Sequence, residues 1–303
     1  MSNTGPAPNV RVPLSPAVGM LIVCLIWGVN FSVLKYALGY IGPYGLTAIR
    51  FAIASVVLWF VARALEPGAP LSWGLRFRLA GLGVLGNTAY QLSFMLGLTR
   101  TTAGNSSLLI ASTPLVTALL GVGLGVEKLT RGVRIAVGVG TLGVLLVVLD
   151  SGRRTGFSLE TMSGDLLTLL AVLCWSLFTH GVTRVQARTS PLRVTAWTVI
   201  GGTPVLLLVG LPELMALDWG ALPLLVWGAI GYAALFSIVI AYALWSQSVR
   251  AVGGSRTALF GVTVPVVALA TALLLLGEVP TPIQLLGAGL IVTSVILNVR
   301  AHS

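Results

Sequence analysis

The sequence predicts an all-α integral membrane protein whose ten transmembrane helices form two inverted five-helix repeats. Three observations predict this fold class: an apolar composition, ten apolar runs of spanning length, and a residue register that recurs between the two halves of the chain. Of the 303 residues 56% are hydrophobic and 9% are charged, and the mean hydropathy is +0.98. This balance is unlike that of a soluble domain, so the lipid bilayer is the expected solvent.

The apolar runs are roughly 18 to 25 residues long, which is the length that crosses the hydrocarbon core as a helix. Gly, Pro and charged residues fill the gaps between the runs, as expected for helix boundaries. Because an unpaired backbone group is costly in hydrocarbon, each run is predicted to be helical despite its valine content. The predicted spans cover residues 16–38, 43–63, 77–98, 103–125, 132–149, 164–186, 191–211, 219–247, 255–277 and 282–299.

The 18 basic residues predict how the helices are oriented. With the N-terminus in the cytoplasm, thirteen bases fall on the inner side, and Arg100, Arg153 and Arg154 fall on the outer side. This asymmetry predicts that both termini are cytoplasmic and that the protein lies in the cell inner membrane. The bases do not form a face interleaved with aromatic residues, so nucleic-acid binding is not expected.

An internal repeat relates the two halves of the chain. Equivalent positions are Trp27 and Trp175 at an offset of 148, and Pro114 and Pro265, Glu127 and Glu278, and Thr130 and Thr281 at an offset of 151. Each half holds five spans, an odd number, so the second half must enter the membrane in the opposite direction. Inverted repeats are typical of secondary transporters, in which they create two similar states around a site near the midplane.

The predicted domain boundaries follow from the repeat and the spans. We expect a cytoplasmic N-terminal tail at 1–15, a first five-helix repeat at 16–150, a periplasmic linker at 151–163 and a second, inverted repeat at 164–300.

Several motifs carry a resemblance to a known family. They are Trp27-Gly28-Val29-Asn30-Phe31 with Lys35 in span 1, Arg50-Phe51 in span 2, and Pro114 followed by Glu127 at the close of span 4. With these motifs the chain resembles the EamA-type ten-helix exporters of the drug/metabolite transporter superfamily, over nearly all of both halves. The resemblance implies a central cavity built mainly from helices 1, 3, 4, 6, 8 and 9, and outward transport of small solutes such as amino acids. In the second half Phe178 aligns with Asn30 and Thr198 with Arg50, so any role of those two residues is not duplicated.

Polar and aromatic residues inside the spans are the candidate solute-binding residues, because such polar groups are costly in a membrane. In span 3, Asn87, Tyr90, Gln91 and Phe94 follow an i, i+3, i+4, i+7 pattern that predicts one helix face. The offset of 151 carries Gln91 to Tyr242 and Phe94 to Trp245, so span 8 presents a similar face. Such faces would form an apolar cavity with a few polar groups. The alternative is an interfacial aromatic belt with helix–helix packing.

The remaining candidates each have a structural alternative. Trp27, Asn30 and Trp175 either line the cavity or anchor helix packing, and the hydroxyl of Thr113 either faces the cavity or bonds within its own helix. His180 faces a hydrated vestibule or makes a packing hydrogen bond. The predicted solute-binding residues are Trp27, Asn30, Asn87, Tyr90, Gln91, Phe94, Thr113, Trp175, His180, Tyr242 and Trp245.

The two repeated prolines and the charged residues near the spans have separate interpretations. Pro114 and Pro265 interrupt spans 4 and 9, and we interpret them as hinges or cavity-shaping kinks rather than simple packing kinks. Arg50 lies about 10 Å into span 2 by the helix rise, where it snorkels, forms a structural pair or contacts a solute carboxylate. Glu127 and Glu278 are interpreted as structural, and Thr130 and Thr281 as helix caps.

All eight acidic residues fall in loops or at helix ends in this assignment. We therefore expect transport that does not depend on a protonatable carboxylate buried at the midplane, and His180 is the remaining titratable candidate inside a span.

Other classes of function are disfavoured. The G-x-G-x-x-G matches that begin at Gly81 and Gly138 lie inside spans and follow no strand, so they are interpreted as close helix packing rather than dinucleotide binding. No P-loop pattern, cofactor motif or metal-ligand pattern is present. A membrane enzyme would need a catalytic dyad, but Asp165 and His180 are about 22 Å apart along one helix.

The sequence thus predicts an alternating-access exporter of small amphipathic metabolites, with aromatic or other apolar amino acids first. The alternative within transport is an exporter of cationic or lipophilic drugs. The expected partners are a small-molecule solute and the lipid bilayer. The energy source and the oligomeric state stay open, with a monomer plausible.

Overall fold

The computed structural model describes residues 15–66, 71–125, 130–154, 158–186, 189–252, 257, 260, 261 and 263–300. Within these ranges the regular structure is helical and contains no strand, and a helix occurs at each of the ten predicted spans. Seven of the helices are long and apolar enough to cross a membrane. The helices are α1 Pro16–Ala37, α2 Pro43–Leu65, α3 Trp73–Arg100, α4 Ala103–Gly123 with a break after Ile110, α5 Arg131–Arg154, α6 Leu159–Gln186, α7 Pro191–Ala216, α8 Leu224–Val252, α9 Thr263–Leu276 and α10 Pro282–Arg300.

Several boundaries differ from the sequence prediction. Helix α8 begins at Leu224 rather than at residue 219, because Pro223 precedes it and Trp219–Ala221 forms a short 3-10 turn. Helix α5 continues to Arg154 and α6 already begins at Leu159, so helices occupy most of the predicted linker 151–163.

These longer helices overturn the expectation that every acidic residue lies in a loop or at a helix end. Asp150 lies inside α5 and Asp165 lies six residues into α6, and both side chains are buried. The hydropathy of a run places a helix end where the apolar residues stop, but a polar last turn continues the helix if other helices cover it.

The contacts between helices follow a pseudo-two-fold pattern that pairs α1 with α6, α2 with α7, α3 with α8, α4 with α9 and α5 with α10. Helix α2 packs against its own equivalent α7, and α5 packs against its own equivalent α10. The contact of α3 with α6 is matched by that of α8 with α1, and the contact of α4 with α6 is matched by that of α9 with α1. This is the arrangement expected when two similar halves pack face to face.

Three pairs of equivalent residues touch each other, which places them on the pseudo-two-fold axis. A residue can contact its own symmetry equivalent only where both lie at the axis of rotation. The pairs are Ser55 and Thr203 with hydroxyl oxygens 2.7 Å apart, Trp27 and Trp175 with ring centroids 6.1 Å apart, and Gln91 and Tyr242 with Nε2 and the hydroxyl oxygen 3.5 Å apart. The axis therefore passes between α2 and α7 and through the centre of the bundle.

Helices α3 and α8 each contain one π-helical turn, at Val84–Ala89 and at Leu235–Ile240. The two turns are 151 residues apart, the offset of the sequence repeat. A π turn has i to i+5 hydrogen bonds, so it rotates the residues on either side of it relative to a regular α-helix. Nothing in the hydrophobic pattern of the sequence indicates these turns.

Glycines in the two rejected dinucleotide-type motifs mostly lie where helices approach closely. A Cβ atom at Gly86 would lie 2.2 Å from the Phe178 ring, and one at Gly143 would lie 2.8 Å from the carbonyl oxygen of Gly287. Gly81 and Gly138 have nothing within 4 Å of such an atom. Close packing thus explains part of each motif.

Candidate functional site

The bundle has two ends. The end at which α1 begins and α10 finishes is called the terminal end below, and the opposite end, where α1 finishes and α10 begins, is called the far end.

A cavity of about 290 Å³ lies at the centre of the bundle. It is lined by residues from α1, α3, α4, α6, α8 and α9, and by Thr257 and Gly261, which precede α9. These are the helices that the family resemblance implied. Along α1 the lining runs from Phe31 back to Met20, and along α8 it runs from Ser237 to Val249. Because Met20 and Val249 lie within one or two turns of the terminal ends of their helices, the cavity reaches from the centre toward the terminal end.

Trp175 of α6 is the centre of an aromatic cluster at the cavity wall. Its ring centroid lies 5.0–6.1 Å from those of five other rings: Trp27, Tyr90, Phe178, Tyr242 and Trp245. Tyr90 also stacks on Phe94. Four helices thus contribute rings to one cluster, which gives the cavity apolar walls with polar atoms at the edges of Trp and Tyr.

Two of the cavity's polar groups come from α1. The indole Nε1 of Trp27 donates to the carbonyl oxygen of Ser237 at 3.1 Å, within the π turn of α8. Asn30 also lines the cavity, and its Oδ1 has no hydrogen-bond partner among the described residues. An acceptor is therefore available at Asn30.

Behind the cavity wall, Arg50 of α2 forms a polar chain with two lining residues. Arg50 is 1% exposed, so it does not snorkel, and that interpretation of the sequence is wrong. Its Nη2 donates to Gln91 Oε1 at 3.0 Å, and Gln91 Nε2 lies 3.5 Å from the Tyr242 hydroxyl. Because a guanidinium group only donates, this bond fixes the Gln91 amide with its Nε2 toward Tyr242.

Helix α4 brings Thr113, Pro114 and Thr117 to the cavity at the point where it breaks. The Thr113 hydroxyl donates to the carbonyl of Ile110, so it bonds within its own helix while lining the cavity. His180 Nε2 lies 3.0 Å from the Thr117 carbonyl oxygen. His180 therefore both lines the cavity and makes a packing hydrogen bond.

Ten of the eleven predicted solute-binding residues line this one cavity, and Asn87 does not. Asn87 is fully buried against α7, where a Cβ atom at Gly202 would lie 3.1 Å from the Asn87 Cβ. The predicted stripe assumed a regular α-helix, but Asn87 lies in the π turn, which rotates it away from Tyr90 and Gln91. Of the two hinge prolines, Pro114 lines the cavity and Pro265 is buried within α9 away from the lining.

Sequence reasoning missed a set of lining threonines. Thr117, Thr179, Thr183 and Thr257 also line the cavity. The four-residue spacing from Thr113 to Thr117 and from Thr179 to Thr183 was a usable signal, because residues four apart share a helix face.

At the far end, Glu278 connects the two halves and Lys35 connects two helices of the first half. The Glu278 carboxylate accepts from the backbone amides of Ala103 and Gly104 at 3.1 and 3.0 Å, at the start of α4. Lys35 Nζ donates to the carbonyl oxygens of Leu98 and Thr101, both at 2.6 Å, where α3 ends. An anion at a helix start and a cation at a helix end both interact favourably with the helix dipole.

The predicted threonine caps are confirmed. Thr281 Oγ1 accepts from the Gln284 amide, Gln284 Oε1 accepts from the Thr281 amide, and Thr130 Oγ1 accepts from the Val133 amide. The first pair forms a capping box at the start of α10. Glu127 lies outside the described residues.

The two buried carboxylates belong to the same far-end region rather than to the cavity. Asn105 Nδ2 lies 3.4 Å from Asp165 Oδ1, and Gln284 Nε2 donates to Asn105 Oδ1 at 2.7 Å. Thr281 Oγ1 donates to Asp150 Oδ2 at 2.8 Å. No acidic side chain is among the described residues that line the cavity, and no group of three metal-binding side chains occurs in the described part of the chain.

Comparison with known proteins agrees with this architecture. The model of the EamA-like transporter family matches the chain twice, over residues 14–149 and 162–300. The uncharacterized transporter YyaM of Bacillus subtilis is 30% identical over 89% of this chain and 88% of its own length. A probable amino-acid metabolite efflux pump of Salmonella typhimurium is 29% identical over 92% and 93%. A solved crystal structure with 19% identity superposes with a TM-score of 0.66 over 93% of this chain and 96% of that one, which shows a shared fold.

Proposed function

We propose, from the premise that this chain belongs to the EamA-like transporter family, that it exports small amphipathic metabolites, with aromatic and other apolar amino acids first. The chain is a multi-pass membrane transporter of that family rather than an enzyme. The proposal adds the direction of transport, the class of solute and the residues that bind it.

The observation that carries the proposal is the central cavity on the pseudo-two-fold axis. Two pairs of symmetry equivalents, Trp27 with Trp175 and Gln91 with Tyr242, meet at its wall. A site on the axis has structurally equivalent helices on both sides, so it can open to either side as the halves exchange their conformations. A volume of about 290 Å³ suits a single small molecule.

The composition of the wall supports an amphipathic solute. The aromatic cluster around Trp175 offers ring faces and edges to an apolar body. Among the polar groups of the wall, Asn30 offers an acceptor, while the Gln91 amide and the Tyr242 hydroxyl offer donors. An amino acid carries the complement of each, an ammonium group and a carboxylate, next to one side chain.

Two features support export. The relative in Salmonella typhimurium is named a probable amino-acid metabolite efflux pump. The excess of basic residues on one side predicts that the terminal end is cytoplasmic and that the membrane is the inner membrane. With that orientation the cavity, which reaches toward the terminal end, would accept solute from the cytoplasm.

A second candidate solute class is cationic or lipophilic drugs. The aromatic cluster favours it, because Trp and Tyr faces attract organic cations. The two candidates differ in the charge of the solute.

An export assay tests the proposal. Cells that lack their own amino-acid exporters would express the chain, and efflux of a panel of amino acids and cationic dyes would be measured from preloaded cells. We expect efflux of aromatic and large apolar amino acids, lowered by about tenfold in Trp175→Ala at unchanged membrane abundance. The matched control is Trp59→Ala, because Trp59 is 46% exposed on α2 and lies away from the cavity. If the cells export the dyes but not the amino acids, the second candidate is favoured. If they export neither, the proposal is contradicted.

A further inference from the structure

We propose that the solute is recognised by a single carboxylate, held by Gln91 and Tyr242 and attracted by the charge of Arg50, and that its ammonium group is dispensable. This inference rests on the proposed function and narrows it. Aromatic monocarboxylates without an amine are then carried alongside amino acids, and the corresponding amines without a carboxylate are not.

The hydrogen bonding of Arg50 is incomplete among the described residues. Its side chain is 1% exposed, and Nη2 donates to Gln91 Oε1. Its Nε and Nη1 have no hydrogen-bond partner among the described residues. Buried polar groups in folded proteins are paired with few exceptions, so the unpaired donors leave the positive charge of Arg50 incompletely compensated.

The positive charge of Arg50 favours an anionic solute. Within the described ranges no carboxylate lies within 4 Å of its guanidinium group, whereas Arg193 pairs with Glu66 at 3.6 Å. A cation inside a membrane-spanning helix is costly unless an opposite charge accompanies it. Since the described cavity lining holds no acidic residue, an anionic group on the solute is the available counter-charge.

Arg50 orients the hydrogen-bond donors at the cavity wall. The Arg50 bond turns the Gln91 amide so that its Nε2 faces Tyr242, and both Gln91 and Tyr242 line the cavity. A carboxylate at this point accepts one hydrogen bond from Gln91 Nε2 and one from the Tyr242 hydroxyl. Arg50 is a positioning residue, since it orients Gln91 and supplies positive charge without touching the solute.

The two halves of the chain differ at the position of Arg50. Thr198 of α7 stands at the position equivalent to Arg50, and its hydroxyl donates to the carbonyl of Val194 within its own helix. The cation is therefore present once, so the site accommodates one carboxylate in one orientation. For the ammonium group of the solute, the proposed hydrogen-bond acceptor is the neutral Oδ1 of Asn30. The carboxylate gains two hydrogen bonds and lies near the positive charge of Arg50, whereas the ammonium group gains one hydrogen bond and no opposite charge, so loss of the ammonium group costs less than loss of the carboxylate.

Transport by the purified full-length chain in liposomes tests this, with three probes that share a phenyl ring and a short chain. L-phenylalanine carries both charged groups, 3-phenylpropionate carries only the carboxylate, and 2-phenylethylamine carries only the amine. We expect the first two to be carried at rates within about threefold of each other and the amine at least about tenfold more slowly.

The variants separate charge from structure. Arg50→Met should lower transport of both carboxylates by about tenfold or more and leave the slow rate of the amine unchanged or raised. Arg50→Lys should restore part of the carboxylate transport, because it keeps the positive charge. Thr198→Val, at the equivalent position of the other half, is the matched control and should leave all three rates unchanged.

The outcomes distinguish this inference from the proposed function. If none of the three probes is carried, the proposed function fails and this inference fails with it. If L-phenylalanine is carried but 3-phenylpropionate is not, or if Arg50→Met lowers all three rates equally, the carboxylate inference is overturned and amino-acid transport stands.

Discussion

The two ends of the bundle are built differently. At the far end, charged side chains join helices: Glu278 of the second half binds the start of α4, and Lys35 of α1 binds the end of α3 within the first half. At the terminal end the cavity lies between the helices, and its wall there consists of neutral side chains such as Met20, Thr117 and Val249. The structure is therefore in a state that is closed at the far end.

The pair α2 and α7 behaves differently from the helices around the cavity, because it is tied at both ends. At the far end Glu213 Oε2 accepts from the amide of Gly45 at 2.6 Å. At the terminal end Glu66 accepts from the Ser190 hydroxyl and pairs with Arg193. We therefore expect α2 and α7 to act as a frame during transport, and the one-sided contacts of Glu278 and Lys35 to break and re-form.

The largest effect is expected from Glu278→Ala. Removing the carboxylate frees the amides of Ala103 and Gly104 and destabilises the closed far end by about 1.5–3 kcal/mol, the range for hydrogen bonds to charged groups. Opening can be measured as labelling of Ser32→Cys, a buried position on the far-end side of the cavity, by a membrane-impermeant thiol reagent. In a background with Cys24 and Cys174 replaced by alanine, the labelling rate should rise about tenfold.

The control for this measurement is Glu160→Gln, an exposed acid near the start of α6. It should leave the labelling rate of Ser32→Cys unchanged. Equal labelling in the Glu278→Ala and wild-type backgrounds would show that the Glu278 contact does not hold the far end closed.

A smaller effect is expected from Lys35→Met. The substitution removes the cation from the end of α3, but water can reach the freed carbonyls of Leu98 and Thr101 once the far end loosens. A charge at a helix end contributes about 0.3–1 kcal/mol, so labelling of Ser32→Cys should rise by about two- to fivefold. If Lys35→Met raised the labelling rate as much as Glu278→Ala, the Lys35 contact would hold the far end closed at least as strongly as the Glu278 contact, which would contradict the expected order.

The smallest effect is expected at the terminal end, from His180→Gln. A glutamine can make the same hydrogen bond to the Thr117 carbonyl, so transport should stay within about twofold of wild type. We also expect the dependence of transport on pH to be weak and unchanged, because in the described structure the buried carboxylates Asp150 and Asp165 belong to far-end contacts and not to the cavity. Liposomes with an imposed pH gradient provide the measurement. Uphill transport that disappears in His180→Gln would show that this histidine couples transport to protons.

Much of the fold is determined locally and could be read from the sequence. The number of helices follows from the length of the apolar runs, because a bilayer admits only fully hydrogen-bonded helices of about 20 residues. The repeat follows from a shared register, which places Gln91 and Tyr242 at equivalent positions and therefore near a common axis. Ten of the predicted site residues line one cavity because polar and aromatic side chains in membrane helices avoid lipid.

The remaining features depend on contacts between helices that are distant in sequence. The π turn of α3 packs against α6 and α7, and the π turn of α8 packs against α1 and α2. The turn in α3 moves Asn87 away from the stripe that the sequence predicts. The burial of Asp165 depends on Asn105 and Gln284 from two other helices. Whether Arg50 snorkels or is buried depends on the position of Gln91, because a guanidinium group stays in the membrane interior only where another helix supplies an acceptor.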